Sequence, residues 1–159
     1  MTTEHPKSVK KALGEIRMLW LRVLTMKKMA QFADGIVAEH QDKFKRLEVS
    51  LGYSSGSLPG VLIIAHDIQD MREILPIIRE MRRYGWKVKS HDDFPAAKRR
   101  TYYLENGKEK IKILALLSWD DGTTCRYVQV GVKKEPQYEL QCDGETFAEE
   151  NVEDHKVTG

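Results

Sequence analysis

The sequence predicts an α+β fold: an N-terminal helical arm or hairpin, a mixed and mostly antiparallel sheet (a meander) with one packed helix, and an acidic C-terminal tail. Three observations predict it. Apolar residues recur at helical spacing through the first fifty positions, a short apolar run precedes a second helical pattern, and two turn signals divide a stretch of alternating apolar residues. The predicted parts are residues 1–52, 61–143 and 144–159.

The charge of the chain is unevenly distributed. Its 159 residues carry a net charge of only +2. The charged residues in 1–30 are mostly basic, however, and the charged residues in 143–159 are mostly acidic. A hydrophobic fraction of 41% is enough for a core. The start lacks an apolar leader, and no apolar run approaches the roughly 20 residues of a membrane span. We therefore expect a soluble, cytoplasmic protein that does not bind membranes.

The first fifty residues are predicted to be one long helix or two helices in a hairpin. A first stripe at helical spacing consists of Val9, Leu13, Ile16, Trp20 and Val23, and a second set consists of Val37, Phe44, Leu47 and Leu51. Helices this apolar do not stand alone in water, so they pack on the rest of the chain or on another copy. We expect at least a dimer, with contacts from Leu13, Ile16, Trp20 and Val23.

The central part of the sequence predicts a β-α-β unit. Residues 54–60, "SSGSLPG", are typical of a linker, and "VLIIA" at 61–65 is typical of a buried strand. A helix should open directly after this strand and kink at Pro76. Alternation in residues 86–90 predicts a further strand, which the β-α-β pattern would pair in parallel with the first. Residues 91–98 are predicted to be a loop.

The clearest signals predict an antiparallel meander. Asn106–Gly107 and Asp121–Gly122 are typical of hairpin turns between alternating strands. With these turns, Ala115 lies opposite Val128. One apolar set then shares a face: Tyr102, Leu104, Ile111, Ile113, Ala115, Leu117, Val128, Val130 and Val132. Agreement between turn chemistry and pattern supports the register.

The two cysteines are predicted to be free thiols. If the last hairpin keeps its apolar residues on one face, Val128 lies opposite Leu140 and the loop is residues 133–135. Cys125 and Cys142 then point to opposite faces, and their diverging Cβ vectors exclude a normal disulfide. Two unpaired thiols indicate a reducing compartment.

The second face of the predicted sheet combines basic and aromatic residues. The candidate ligand-binding residues on it are Arg99, Tyr103, Lys110, Lys112, Tyr127 and Gln129. Cations beside rings are typical of surfaces where bases stack and phosphates are neutralised. The alternative is that the N-terminal helices cover this face.

Three functions follow from these features. We first expect a non-enzymatic binding or regulatory protein that self-associates through its N-terminal helices. The alternative is a nucleic-acid-binding or nucleotide-binding protein that uses the basic, aromatic face. In this context, the meander with its terminal "YELQC" loosely resembles small phage accessory proteins. The third hypothesis is an enzyme with a site built from His66, His91, Asp92 and Asp93, although no spacing matches a catalytic or metal motif. We therefore expect no catalytic residue, no metal and no cofactor.

Overall fold

The structure, a computed structural model, describes residues 6–53, 59–120, 122–132 and 135–148. It has an α+β fold, as predicted. The helices are α1 (Lys7–His40) and α2 (Leu75–Arg83), and short 3₁₀ turns lie at Gln41–Lys43, Met71–Ile74 and Pro95–Ala97. The strands are β1 (Arg46–Tyr53), β2 (Pro59–Ile68), β3 (Lys87–Phe94), β4 (Arg99–Asn106), β5 (Glu109–Leu117), β6 (Cys125–Val132), β7 (Pro136–Cys142) and β8 (Glu145–Thr146).

The strands form two sheets. The larger has five strands in the order β1-β2-β5-β4-β3, and the smaller has three in the order β6-β7-β8. In the larger sheet β2 and β5 run parallel, and the other neighbours are antiparallel. The predicted mixed, mostly antiparallel sheet is therefore confirmed.

One face of the larger sheet, called the core face, forms the hydrophobic core. Its buried side chains alternate along the strands: Leu47, Val61, Ile63, Ala65, Tyr102, Leu104, Ile111, Ile113, Ala115 and Leu117. The buried residues of α2 belong to the same cluster, as do those at the C-terminal end of α1. Each fully buried aliphatic side chain contributes about 1.5–3 kcal/mol of transfer free energy. The predicted apolar face of β4 and β5 is confirmed.

α1 is a single helix, which confirms the predicted long helix and excludes the alternative of a helical hairpin. Its 34 residues extend about 51 Å at 1.5 Å per residue. Only residues near its C-terminal end are buried, namely Ala33, Ile36, Val37 and His40. The Phe32 ring stacks on Trp86 with 5.8 Å between the ring centres, which fixes this end beside β3.

Residues 46–53 form a strand, so the helix predicted through residue 51 is wrong. Leu47, Val49 and Leu51 also alternate with a period of two, and in β1 they lie opposite residues of β2 on the core face. The apolar set of this segment fits both periods, and pairing with β2 decides between them. The predicted linker therefore connects two paired strands, and its residues 54–58 lie outside the described residues.

The β-α-β unit is only partly as predicted. The strand at 61–65 is confirmed within β2, but β2 continues to Ile68 and α2 begins at Leu75. Pro76 lies in the first turn of α2, where its missing N–H costs nothing, so the expected kink is absent. β3 pairs antiparallel with β4, whereas β2 takes β5 as its parallel partner. Residues 91–94, predicted as loop, extend β3.

The two predicted hairpin turns have different outcomes. Asn106 pairs with Glu109, so the connection between β4 and β5 is Gly107–Lys108. This register differs from the predicted one by two residues and therefore leaves every side chain on its predicted face. The hairpin at Asp121–Gly122 is wrong, because β2 occupies the edge of β5 and β6 joins the smaller sheet.

The predicted free thiols are also wrong, because Cys125 and Cys142 form a disulfide. Near the turn the predicted register is correct, with Val132 opposite Pro136. A bulge at Val130 then shifts the pairing by one residue. Cys125 consequently lies directly opposite Cys142, with 4.0 Å between the Cα atoms. The cysteines therefore no longer support the prediction of a reducing compartment.

The predicted acidic tail begins in ordered structure. Residues 145–146 form β8 beside β7, and the Phe147 side chain is buried. Residues 149–159 lie outside the described residues.

Candidate functional site

The face of the larger sheet opposite the core, called the open face, is the first candidate site. At its centre lie Leu62, Ile64, Leu114 and Leu116, which are partly exposed and do not belong to the core cluster. The helices contribute their buried residues to the core face instead. In the described residues, the alternative that α1 covers the second face is therefore wrong.

A groove of about 500 Å³ lies on the open face. Four of the predicted ligand-binding residues line it: Arg99, Tyr103, Lys110 and Lys112. The other two, Tyr127 and Gln129, belong to β6 and are therefore not part of this surface. Phe94 also lines the groove, but the sequence does not predict it as a site residue, because it falls in the loop predicted at residues 91–98. Its alternation with Ser90 and Asp92 is the signal that marks it as a strand residue on this face.

The charged side chains that line the groove are all basic among the described residues. Lys110 is only weakly paired, since its Nζ lies 3.9 Å from the Glu105 carboxylate and its side chain is 74% exposed. The guanidinium of Arg99 lies 4.2 Å from the centre of the Phe94 ring, and Lys112 Nζ lies 5.4 Å from the centre of the Tyr103 ring. These cations rest on aromatic rings rather than on carboxylates.

Two polar contacts define the groove further. Arg99 Nε is buried and has no hydrogen-bond partner within the described part of the chain. The Tyr103 hydroxyl donates a 2.8 Å hydrogen bond to Asp92, which raises the pKa of Tyr103 and orients its ring. The phenol is therefore neutral near pH 7, with one ring held at the wall of the groove.

A pair of glycines keeps one end of the groove open. Gly52 of β1 lies opposite Gly60 of β2. A Cβ atom added at Gly60 would meet no atom within 4 Å, so this position opens into empty space. A Cβ atom at Gly52 would instead lie 2.5 Å from the end of the Leu62 side chain, so a larger residue there would require Leu62 to move.

Tyr127 joins the smaller sheet to the larger one. Its hydroxyl donates to Asp93 at 2.7 Å and also lies 2.9 Å from the Arg99 carbonyl oxygen. Asp93 in turn accepts hydrogen bonds from the buried Arg100 at 2.7 and 3.1 Å. Burial opposes ionisation of Asp93, but the hydrogen bonds from Arg100 and Tyr127 outweigh it and lower the pKa of the carboxyl. The half-buried Tyr127 thus contributes to structure.

The residues proposed for an enzymatic site do not converge. His66 lies 3.0 Å from Glu48 on the open face, and this hydrogen bond lowers the pKa of Glu48. His91 lies 3.7 Å from Asp93 on the core side of β3, whereas Asp92 faces Tyr103 on the open side.

Two other clusters within the described residues have donor atoms suited to a metal ion. Asp70 lies beside Cys125 and Cys142, whose sulfurs are joined to each other. The second cluster contains Glu39, His40 and Glu80. In it, His40 contacts the Glu80 carboxylate and thereby links α1 to α2. The disulfide accounts for the first cluster, and the His40–Glu80 contact between the two helices accounts for the second.

The second candidate surface is the N-terminal arm, defined as residues 7–25 of α1. Leu13, Ile16, Trp20 and Val23, the predicted contact residues, are 51%, 61%, 62% and 48% exposed. None of the helices in the described residues combines the length and the apolarity that a membrane span requires.

Comparison with protein-family models, with curated proteins and with solved structures found no match to this chain. The functional argument therefore rests on the arm and the open face.

Proposed function

We propose that this protein is a non-enzymatic binding or regulatory protein that self-associates through its N-terminal arm. One observation carries the proposal. Within the described chain, the arm leaves nine large apolar side chains between 39% and 62% exposed: Val9, Leu13, Ile16, Met18, Leu19, Trp20, Leu21, Val23 and Leu24. Seven of them lie on or beside one stripe of the helix, whereas Met18 and Leu21 lie on its other side. At about 90 Å² each, these seven expose roughly 600 Å², which is the area each partner buries at the lower end of specific interfaces and the upper end of the range for the largest patch on a typical monomer.

The spacing of these residues favours another helix as the partner. Val9, Leu13, Ile16, Trp20 and Val23 are separated alternately by four and three residues, as in the seam of a coiled coil. Leu19 and Leu24 flank the seam and widen it. A second copy supplies an identical seam, so a symmetric pair buries both stripes at once.

The basic residues favour a parallel pair. Lys10 and Arg17 flank one side of the seam, whereas Ala12 and Leu19 flank the other. Two parallel helices bring unlike sides together, so each basic side meets an uncharged one. An antiparallel pair brings the two basic sides together, and like charges in contact are destabilising.

Sizing chromatography with light scattering tests the self-association. The wild type is expected to be at least a dimer at micromolar concentration, and Trp20→Glu to be a monomer, because the charge falls within the seam. Lys11→Glu is the control: it places the same side chain on the same helix, but opposite the seam, and should keep the wild-type mass. A monomeric wild type, or equal behaviour of the two variants, would refute the proposal.

Cross-linking tests the orientation. In a parallel pair, Val9→Cys lies beside its own copy and should oxidise to a dimer that reductant separates on a denaturing gel. In an antiparallel pair this residue lies near Val23 of the partner, and no such dimer forms.

A further inference from the structure

The groove on the open face has the chemistry of a site for an anion that carries flat rings. Its charged lining residues are Arg99, Lys110 and Lys112, and no carboxylate lines it in the described residues. Phe94 and Tyr103 add aromatic surface beside these cations. Phosphates bind such cations and bases stack on such rings, as on other surfaces that bind single strands.

The nearby carboxylates are already engaged with other groups. Asp92 accepts the hydrogen bond of Tyr103, Glu48 is bonded to His66, and Glu105 lies 3.9 Å from both Lys89 and Lys110. In contrast, Arg99 and Lys112 form no ion pair within the described part of the chain, and Arg99 retains a buried, unpartnered Nε donor. The charged side chains that line the groove are therefore all positive among the described residues, and Asp92, which keeps its negative charge, lies outside that lining beside Tyr103.

The cations are spread along the groove. Arg99 lies opposite Leu116, which follows Lys112 by four residues on β5. Lys110 is therefore separated from Arg99 by about 20 Å along the strand direction, at about 3.3 Å per residue. A row of charges this long exceeds one mononucleotide and suits several successive phosphates of a chain. At the Lys110 end, Gly52 and Gly60 present no side chain on this face, so nothing among the described residues blocks a chain there.

We propose that the open face binds single-stranded nucleic acid, with Arg99, Lys110 and Lys112 contacting phosphates and Tyr103 and Phe94 stacking on bases. A duplex fits less well because its bases are stacked on each other and present no free ring surface. The proposal does not depend on self-association of the arm.

Fluorescence anisotropy with a labelled thymidine oligomer of about 12 nucleotides at about 50 mM salt tests this proposal on the full-length protein. We expect Lys112→Glu to weaken binding by at least about tenfold and to reduce the dependence on salt. Lys43→Glu, an identical charge change on an exposed turn outside the open face, is the matched control and should change affinity by less than about threefold. Equal losses in the two variants would refute a site on this face.

Two further variants separate stacking and shape from net charge. Tyr103→Ala should weaken binding by about 5- to 150-fold, the equivalent of 1–3 kcal/mol per stacked base. Gly60→Val should abolish binding at that end of the groove while leaving the melting temperature unchanged, because its Cβ enters empty space. Wild-type affinity in both variants would overturn the proposal.

The basic arm is the competing location. Lys10→Glu with Lys11→Glu should leave most of the affinity for the oligomer intact; loss of binding here, with Lys112→Glu unaffected, would assign binding to the arm. Thymidine monophosphate should compete far less well than the oligomer, and equal competition would replace the single strand with a mononucleotide. No binding at low salt would also refute the inference.

Discussion

Tyr127→Phe is expected to loosen the attachment of the smaller sheet. The phenolic hydroxyl of Tyr127 reaches across to Asp93, whose other hydrogen bonds come from the buried Arg100. The substitution removes one oxygen atom and leaves the ring in place. Asp93 then loses one of the donors that hold its negative charge inside a half-buried site.

The size of the effect follows from the charge of the acceptor. A hydrogen bond to a charged group contributes about 1.5–3 kcal/mol, against about 1 kcal/mol for a neutral pair. In a chain of this size each kcal/mol shifts the melting temperature by about 2–4 °C. We therefore expect Tyr127→Phe to lower the melting temperature by about 3–12 °C.

Tyr103→Phe is the matched control for this measurement. It also removes a hydroxyl that donates to an aspartate, but Tyr103 and Asp92 lie on the exposed surface of the open face. Its cost should stay within about 0.5 kcal/mol, typical of surface changes. Thermal melting followed by circular dichroism at neutral pH compares the two. Equal shifts would refute the structural role assigned to Tyr127.

Two further predictions concern the disulfide and acid stability. Without reductant, denatured protein should take up no alkylating reagent in an intact mass measurement; reduction should expose both Cys125 and Cys142 and, for a sequence separation of 17, cost about 3 kcal/mol. Two adducts without reductant would show that Cys125 and Cys142 are free thiols and would contradict the disulfide. The Asp93 pKa is lowered on folding, so its stabilisation is full above the unfolded value of about 3.9 and is lost as pH falls through the folded pKa. The stability difference between wild type and Asp93→Asn should therefore shrink below about pH 4, and a difference independent of pH would contradict this linkage.

The sequence predicts faces more reliably than it predicts partners. Moving the turn from Asn106–Gly107 to Gly107–Lys108 shifts the register by two residues, and a period of two leaves each side chain on its predicted face. For this reason Arg99, Tyr103 and Lys112 meet in the structure as expected. The turn signal at Asp121–Gly122 predicts Tyr127 and Gln129 on the same face, but this local signal does not reveal that β2 occupies the edge of β5.

The remaining errors have similar physical causes. β2 pairs with β5 across about fifty residues of sequence, and no local pattern encodes such a parallel contact. The bulge at Val130 has no signal in "CRYVQVGV", yet one extra residue turns two diverging cysteines into a directly opposed pair. Leu47 and Leu51 fit both helical and strand spacing, so only their partners in β2 decide their structure.

The two proposed surfaces are compatible because they lie on different sides of the protein. The buried end of α1 packs on the core face, so arms that pair with each other leave the open face uncovered. The proposed parallel pair would hold both sheets at the same end of the arms, so that one long strand could contact two open faces. Binding to the second face then becomes intramolecular, with an effective concentration that reaches the millimolar range for short connections. If both proposals hold, we expect affinity for long strands to depend on the arm, and affinity for a strand that fills one groove to be independent of it.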